Sequence, residues 1–208
     1  MAEKMSAVQL FQFTEQLTSK SPTPGGGGVA ALIGALAAAL GAMATNLSIG
    51  KKKLLPFEED HRQILAETNI LRLRFLELMD EDAAAFMPLA EAYSLDRSVP
   101  ENAEILRRAT LNACRAPLEM MQRCGELIVL LEDLRGKCSV LMLSDVGCGA
   151  SAARAALESA AMNVFVNTRT LPEDQEASEL AGQAAAILSE YGGRAQALAD
   201  GILKDLMA

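Results

Sequence analysis

Four consecutive glycines follow two prolines in Ser21-Pro-Thr-Pro-Gly-Gly-Gly-Gly28 and run straight into a long apolar segment. If a helix starts there, its free backbone N–H groups and the positive end of its dipole favour an anion, and Gly25, Gly26, Gly27 and Gly28 let that anion approach the backbone closely. A flexible connector is the other reading, although Pro22 and Pro24 stiffen the approach. A dinucleotide fingerprint on Gly25, Gly27 and Ala30 is excluded, because no strand precedes the glycines and no βαβ unit surrounds them.

The second candidate is an acid on an apolar helix face. Leu71, Phe75, Leu78, Met79 and Phe86 form one stripe, and at ~100° per residue Asp82 falls within about 20° of Phe75 on that stripe. Asp80 sits about 140° away, toward the polar side. A carboxylate between Leu78 and Phe86 is partly desolvated, which raises its pKa toward the range useful for proton transfer; a buried ion pair is the competing reading. Asp145 lies in Leu141-Met-Leu-Ser-Asp-Val-Gly-Cys148 among apolar and small neighbours, with Asn163 five turns later on the same face and Asn167 near it. About 27 Å of helix separates Asp145 from Asn163, too far for one helix to bring them into one site. They either line a polar groove or separately satisfy buried backbone groups.

Lys51-Lys-Lys53 ends the apolar segment, where cations complement the negative end of a dipole and offer local positive charge to an anionic ligand. His61, the single histidine, stands among Glu58, Glu59, Asp60 and Arg62 and reads as a surface residue. Its isolation removes both a Ser-His-Asp triad and a multi-histidine metal site. Cys114, Cys124, Cys138 and Cys148 form no CxxC pair and read as reduced core thiols, so no metal is expected.

The elements that must position these groups are helices, because breakers divide the chain into long 3.6-period patterns and period-two alternation is nearly absent. The first pattern runs roughly over 6–19 and the second over 29–49. A third begins near Pro56 and reaches about Tyr93, with Pro88 as a kink or break. Ser98 with Glu101 reads as a capping box opening a fourth, which continues to about Arg135 with an interruption at Pro117. A fifth covers 139–167, and Pro172 introduces a last region broken near Gly192-Gly193. An all-α, up-and-down bundle of about five to seven long helices, forming one domain over residues 1–208, is the simplest packing. Ala30, Gly34 and Ala38 recur at four-residue spacing, and 147–161 is similarly rich in small residues, so helices approach closely either within the chain or across a dimer seam.

With 208 residues the chain can bury a core without disulfides or a structural metal. Its net charge of -8, from 27 acidic against 19 basic residues, leaves no domain-wide positive field for nucleic acid. The uncharged stretch from Val29 to Gly50 has the length of a membrane span, but its Ala and Gly carry little apolar area and Thr45, Asn46 and Ser48 follow, so a buried central helix is expected and no membrane. No secretory signal is read in MAEKMSAVQLF, and the cytoplasm is the expected location.

The order and spacing of Pro22-Thr-Pro-Gly-Gly-Gly-Gly-Val-Ala-Ala31 running into Gly34-Ala-Leu-Ala-Ala-Ala-Leu-Gly41, Asn46-Leu-Ser-Ile-Gly-Lys-Lys-Lys53 and Asp80-Glu-Asp-Ala-Ala-Ala-Phe86 resemble the formiminotetrahydrofolate cyclodeaminase and methenyltetrahydrofolate cyclohydrolase family, with Ser144-Asp-Val-Gly147 and Asn163-Val-Phe-Val-Asn167 as a weaker fourth match. That resemblance implies an all-helical subunit, usually dimeric, acting on a folate that carries a one-carbon unit between N5 and N10. It implies catalytic roles for Asp82 and Asp145 and substrate contacts from Gly25, Gly26, Gly27, Gly28, Asn46, Lys51, Lys53 and Asn163. No cofactor is implied beyond the tetrahydrofolate substrate, and a separate formiminotransferase is a possible partner. Two departures stand out: Gly28 where the family commonly has Ser, and Leu54 where an aromatic often follows the lysines. Ammonia elimination is placed slightly ahead of methenyl hydrolysis, and a helical folate- or protein-binding module without turnover is the non-enzyme reading.

Overall fold

The computed structural model describes residues 4–96 and 98–208, and every regular element among them is helical. A 3-10 turn, Met5–Ala7, precedes α1 (Leu10–Leu17); α2 is Gly26–Asn46, and a second 3-10 turn, Lys52–Phe57, leads into α3 (Glu58–Ala92). Then come α4 (Pro100–Ala113), α5 (Arg115–Arg135), α6 (Leu143–Thr168) and α7 (Gln175–Met207).

The bundle is organised around α2. This helix buries Ala30, Ala31, Gly34, Ala37, Ala38, Gly41, Ala44 and Thr45, and their short side chains let α3, α5 and α6 come close. A Cβ at Gly34 would lie 2.6–2.8 Å from the Phe75 ring on α3, and one at Gly41 would lie 3.1 Å from Leu131 on α5. A Cβ at Gly149 on α6 would lie 3.5 Å from the Ala37 carbonyl oxygen. The small-residue stripe is therefore an intrachain seam. By length and composition alone α2 and the segment Val140–Thr168 could cross a membrane, but here one face of α2 is packed against α3, α5 and α6. These contacts also set direction: α2, α5 and α7 run one way and α3 and α6 return, giving the bundle two distinct ends.

Several expected breaks do not occur. Pro88 sits inside α3 on its exposed side, where the carbonyl freed by its missing N–H faces water. Gly192 and Gly193 lie within an unbroken α7, whose Ala195, Leu198 and Ile202 are buried in the core; that packing outweighs the roughly 1 kcal/mol that each helical glycine costs. The capping box at Ser98 is replaced by a start at Pro100 with Val99 as an uncapped N-cap, because proline presets the first helical dihedral. The break near Pro117 falls instead at Cys114, and Pro117 occupies the first turn of α5, where its N–H is not needed. The first helical pattern splits into the 3-10 turn and α1, of which Phe13 alone is buried while Leu10 and Phe11 are exposed.

Two residues expected elsewhere are also corrected. His61 is fully buried, with Nε2 2.6 Å from the Lys137 carbonyl, because it continues the core stripe of Ile64, Thr68, Leu71 and Phe75 despite its charged neighbours. Of the four free cysteines, Cys148 is exposed and the other three are buried.

Candidate active site

At one end of the bundle the glycine turn, α3 and α6 meet around Asp82. Gly25 is the N-cap of α2 and no side chain caps it, so the helix opens with bare backbone. Gly27 packs directly on the acid: a Cβ there would collide with all three atoms of the Asp82 carboxyl group. The anion that the helix N-terminus was expected to hold is therefore the chain's own carboxylate. Burial pushes the Asp82 carboxyl up to about 6, while the Gly28 backbone N–H beside it pulls the other way. No cationic side chain contributes to that balance, so the buried ion pair is replaced by desolvation against backbone.

A cavity of roughly 240 Å³ opens over this carboxyl group. Gly25, Gly26 and Gly27 line it together with Asn163 and Asn167, and Phe86 and Val166 supply apolar surface. Asn163 donates through Nδ2 to the Ser159 carbonyl at 2.8 Å, and its side chain abuts Gly26, where a Cβ would sit 3.2 Å away. Beneath the floor, burial pushes the Cys114 thiol up to about 11, so it is protonated and inert at neutral pH. Asp80, two residues from Asp82, turns away and accepts two hydrogen bonds from Ser6.

The other residues singled out in the sequence lie at the opposite end. Asn46 is the last residue of α2, about 30 Å from Gly26 at 1.5 Å per residue, and the exposed Lys51 and Lys53 follow it. Asp145 is half-buried in the first turn of α6, at that same end. The structure thus brings together Asp82, the glycines and Asn163, and leaves Asp145, Asn46, Lys51 and Lys53 outside that cavity within one chain. Larger clefts exist, including one of about 650 Å³ between α3 and α5. Its polar groups are already spent on each other, since Arg74 pairs with Glu77, Glu81 and Glu119.

The formiminotransferase-cyclodeaminase family model matches residues 9–186, most of the chain. The protein belongs to that family. It is 37% identical over 184 residues to a methenyltetrahydrofolate cyclohydrolase from Methylorubrum extorquens, covering 86% of this chain and 88% of that one. A mouse formimidoyltransferase-cyclodeaminase is 27% identical over 166 residues, and the matched region spans 78% of this chain but 31% of that longer protein. The crystal structure of a formiminotetrahydrofolate cyclodeaminase from Thermotoga maritima superposes with a TM-score of 0.82 at 24% identity, covering 95% and 98% of the two chains. The all-helical bundle is the fold of this family.

Within this family member the cavity adds residues that sequence reasoning missed. Thr23, Phe86, Ala113, Pro117 and Val166 line it, drawn from five separate segments. Phe86 carried a signal, since it shares the stripe of Asp82; Ala113 and Pro117 carried none, because their placement depends on where α4 gives way to α5.

Proposed function

We propose that the protein is a methenyltetrahydrofolate cyclohydrolase. The observation that carries this reading is a half-buried carboxyl group, with its pKa raised to about 6, inside a small cavity walled by backbone and two asparagines. The extensive similarity to a cyclohydrolase of nearly the same length supports hydrolysis over ammonia elimination. At neutral pH the Asp82 carboxylate attracts the cationic methenyl bridge and takes a proton from water as its oxygen attacks the methenyl carbon. As the carbon–N5 bond of the resulting carbinol breaks, N5 takes the proton that Asp82 returns and the carbinol hydroxyl loses its own proton to solvent, giving 10-formyltetrahydrofolate with net release of one proton. Asn163 and Asn167 offer amide groups to the substrate's polar edge.

The family match and the cyclodeaminase relatives support a second reading, in which the same carboxyl group moves protons while ammonia leaves 5-formiminotetrahydrofolate. An absorbance assay with each folate offered separately decides between them. Hydrolysis consumes the methenyl chromophore and cyclodeamination creates it; no change with either folate overturns both enzyme readings.

A homodimer belongs to this proposal. The cavity is smaller than the ~300–1,000 Å³ of typical ligand sites, so one protomer encloses part of a folate. An antiparallel two-fold pairing would bring the Asn46, Lys51, Lys53 and Asp145 end of one copy to the Asp82 end of another. Exposed Leu36, Met43 and Leu47 form an apolar stripe along α2 suited to such a contact. Light scattering should give at least twice the chain mass, and mixing inactive Asp82→Asn with inactive Asp145→Asn should restore activity through hybrid dimers. A fully active monomer overturns the pairing.

A further inference from the structure

We infer that Ser6 and Asp80 are positioning residues: they fasten the N-terminal turn behind the glycine turn and so press Gly27 and Gly28 onto the Asp82 carboxyl group. The inference rests on the proposed role of Asp82. Ser6 reaches 74 positions along the chain to donate twice to Asp80, through its backbone N–H to Oδ1 at 3.0 Å and through its hydroxyl to Oδ2 at 2.7 Å. This bidentate bond to a carboxylate is of the stronger, charge-assisted kind. It fixes the neighbouring Met5, whose Sδ lies 3.4 Å from where a Cβ at Gly28 would stand. Pro24 closes the same spot at 3.7 Å, and Met5 and Val8 both pack on the main core.

The glycine turn is thus flanked by a residue of α3 and by one fastened to α3. On its inner side stands Asp82, touching Gly27 and bonded by Gly28; on its outer side stands Met5, tied to Asp80 on the same turn of α3. Four consecutive glycines have no side chains with which to hold their own position, and their backbone is intrinsically loose. In this chain neither the N-cap Gly25 nor the first three residues of α2 carry a side chain that could brace the helix start. The strap supplies the missing restraint from outside. Its release would let the turn relax and admit water to Asp82, returning the carboxyl toward its ordinary acidity.

The groups facing Asp82 make that readout clean. The glycine turn, Asn163 and Asn167 of α6, and Ala113 and Pro117 at the α4–α5 junction are uncharged. Asp80 and Glu81 share its helix, and Lys4 flanks Ser6. Asp80→Asn removes the nearby charge but keeps an acceptor for Ser6, whereas Asp80→Ala removes both.

The test is a carbon-13 NMR titration of Asp82 in the full chain, assigned with Asp82→Asn, in the wild type and in Ser6→Ala, Asp80→Ala and Asp80→Asn. Asp80→Ala should lower the Asp82 midpoint by about half a pH unit or more beyond the change in Asp80→Asn, and Ser6→Ala should lower it too. Amide exchange at Gly28 should speed roughly tenfold in Ser6→Ala and Asp80→Ala. Equal midpoints in Asp80→Ala and Asp80→Asn with unchanged Gly28 exchange would overturn the inference; if Asp80→Ala fails to fold, Ser6→Ala decides by the same criteria. The titration needs no turnover, so a protein inactive on both folates would sink the reaction assignment while leaving the strap to be judged separately.

Discussion

The two ends of the bundle divide the residues that draw notice in the sequence, yet they differ in kind. At the glycine end the acid is half-buried, seated on backbone and shifted in acidity. At the other end Asn46, Lys51 and Lys53 are exposed. Chemistry needs a group whose surroundings have been fixed before substrate arrives, whereas long-range attraction of an anion needs only charge in water. Under the proposed function the contrast places the proton-transferring group at the first end and recognition of the anionic substrate at the second.

The most severe way to break this contrast is Asp82→Asn, which should lower turnover by roughly a thousandfold with helical circular dichroism unchanged. Retained activity would move the chemistry elsewhere. Gly27→Ala comes next: its Cβ displaces the carboxyl group, and a misplacement of that scale should cost about a hundredfold in kcat/KM. Gly26→Ala meets the Asn163 side chain less closely and should cost far less. If both act alike, the glycines serve as a connector and not as a seat for the acid.

Acidity gives a third, smaller test. The Asp82 pKa is raised in the folded state, so the folded protein binds more protons than the unfolded chain between about pH 4 and pH 6, and stability falls as pH rises through that window. Asp82→Asn should therefore stabilise the protein by about 2 kcal/mol above pH 6 and hardly at all below pH 4, measured by urea denaturation. In the wild type kcat/KM should rise with pH through about 6 as the base ionises. The mildest effect is expected at the far end: Lys51→Ala or Lys53→Ala should raise KM about fivefold at low salt, with kcat unchanged and the difference shrinking as salt is added. A fall in kcat instead would place those lysines in the chemistry.

Helix phase was legible enough to separate Asp82 from Asp80 before any coordinates. The same phase, applied to His61, would have placed it in the core, but four charged neighbours drew attention to local polarity instead. The break expected at Gly192-Gly193 fails for a different reason: local propensity favours interruption, and tertiary burial of the flanking residues overrides it. The division of candidate residues between two ends was half-visible. The rise per residue already separated Asp145 from Asn163, and along α2 it equally separates Gly26 from Asn46. What no pattern could supply was the meeting of Thr23, Ala113 and Pro117 at the acid, which depends on how the turn before α2 and the α4–α5 junction fold back.

The filling of α2 has a consequence for motion. A helix walled by alanines and glycines against three neighbours has almost no rotamers to change and no spare volume into which to bend. It acts as a gauge block that sets the span between the bundle's ends. Ligand entry must be accommodated by the segments that flank the block, and the amides of α2 should be the last in the protein to exchange with solvent.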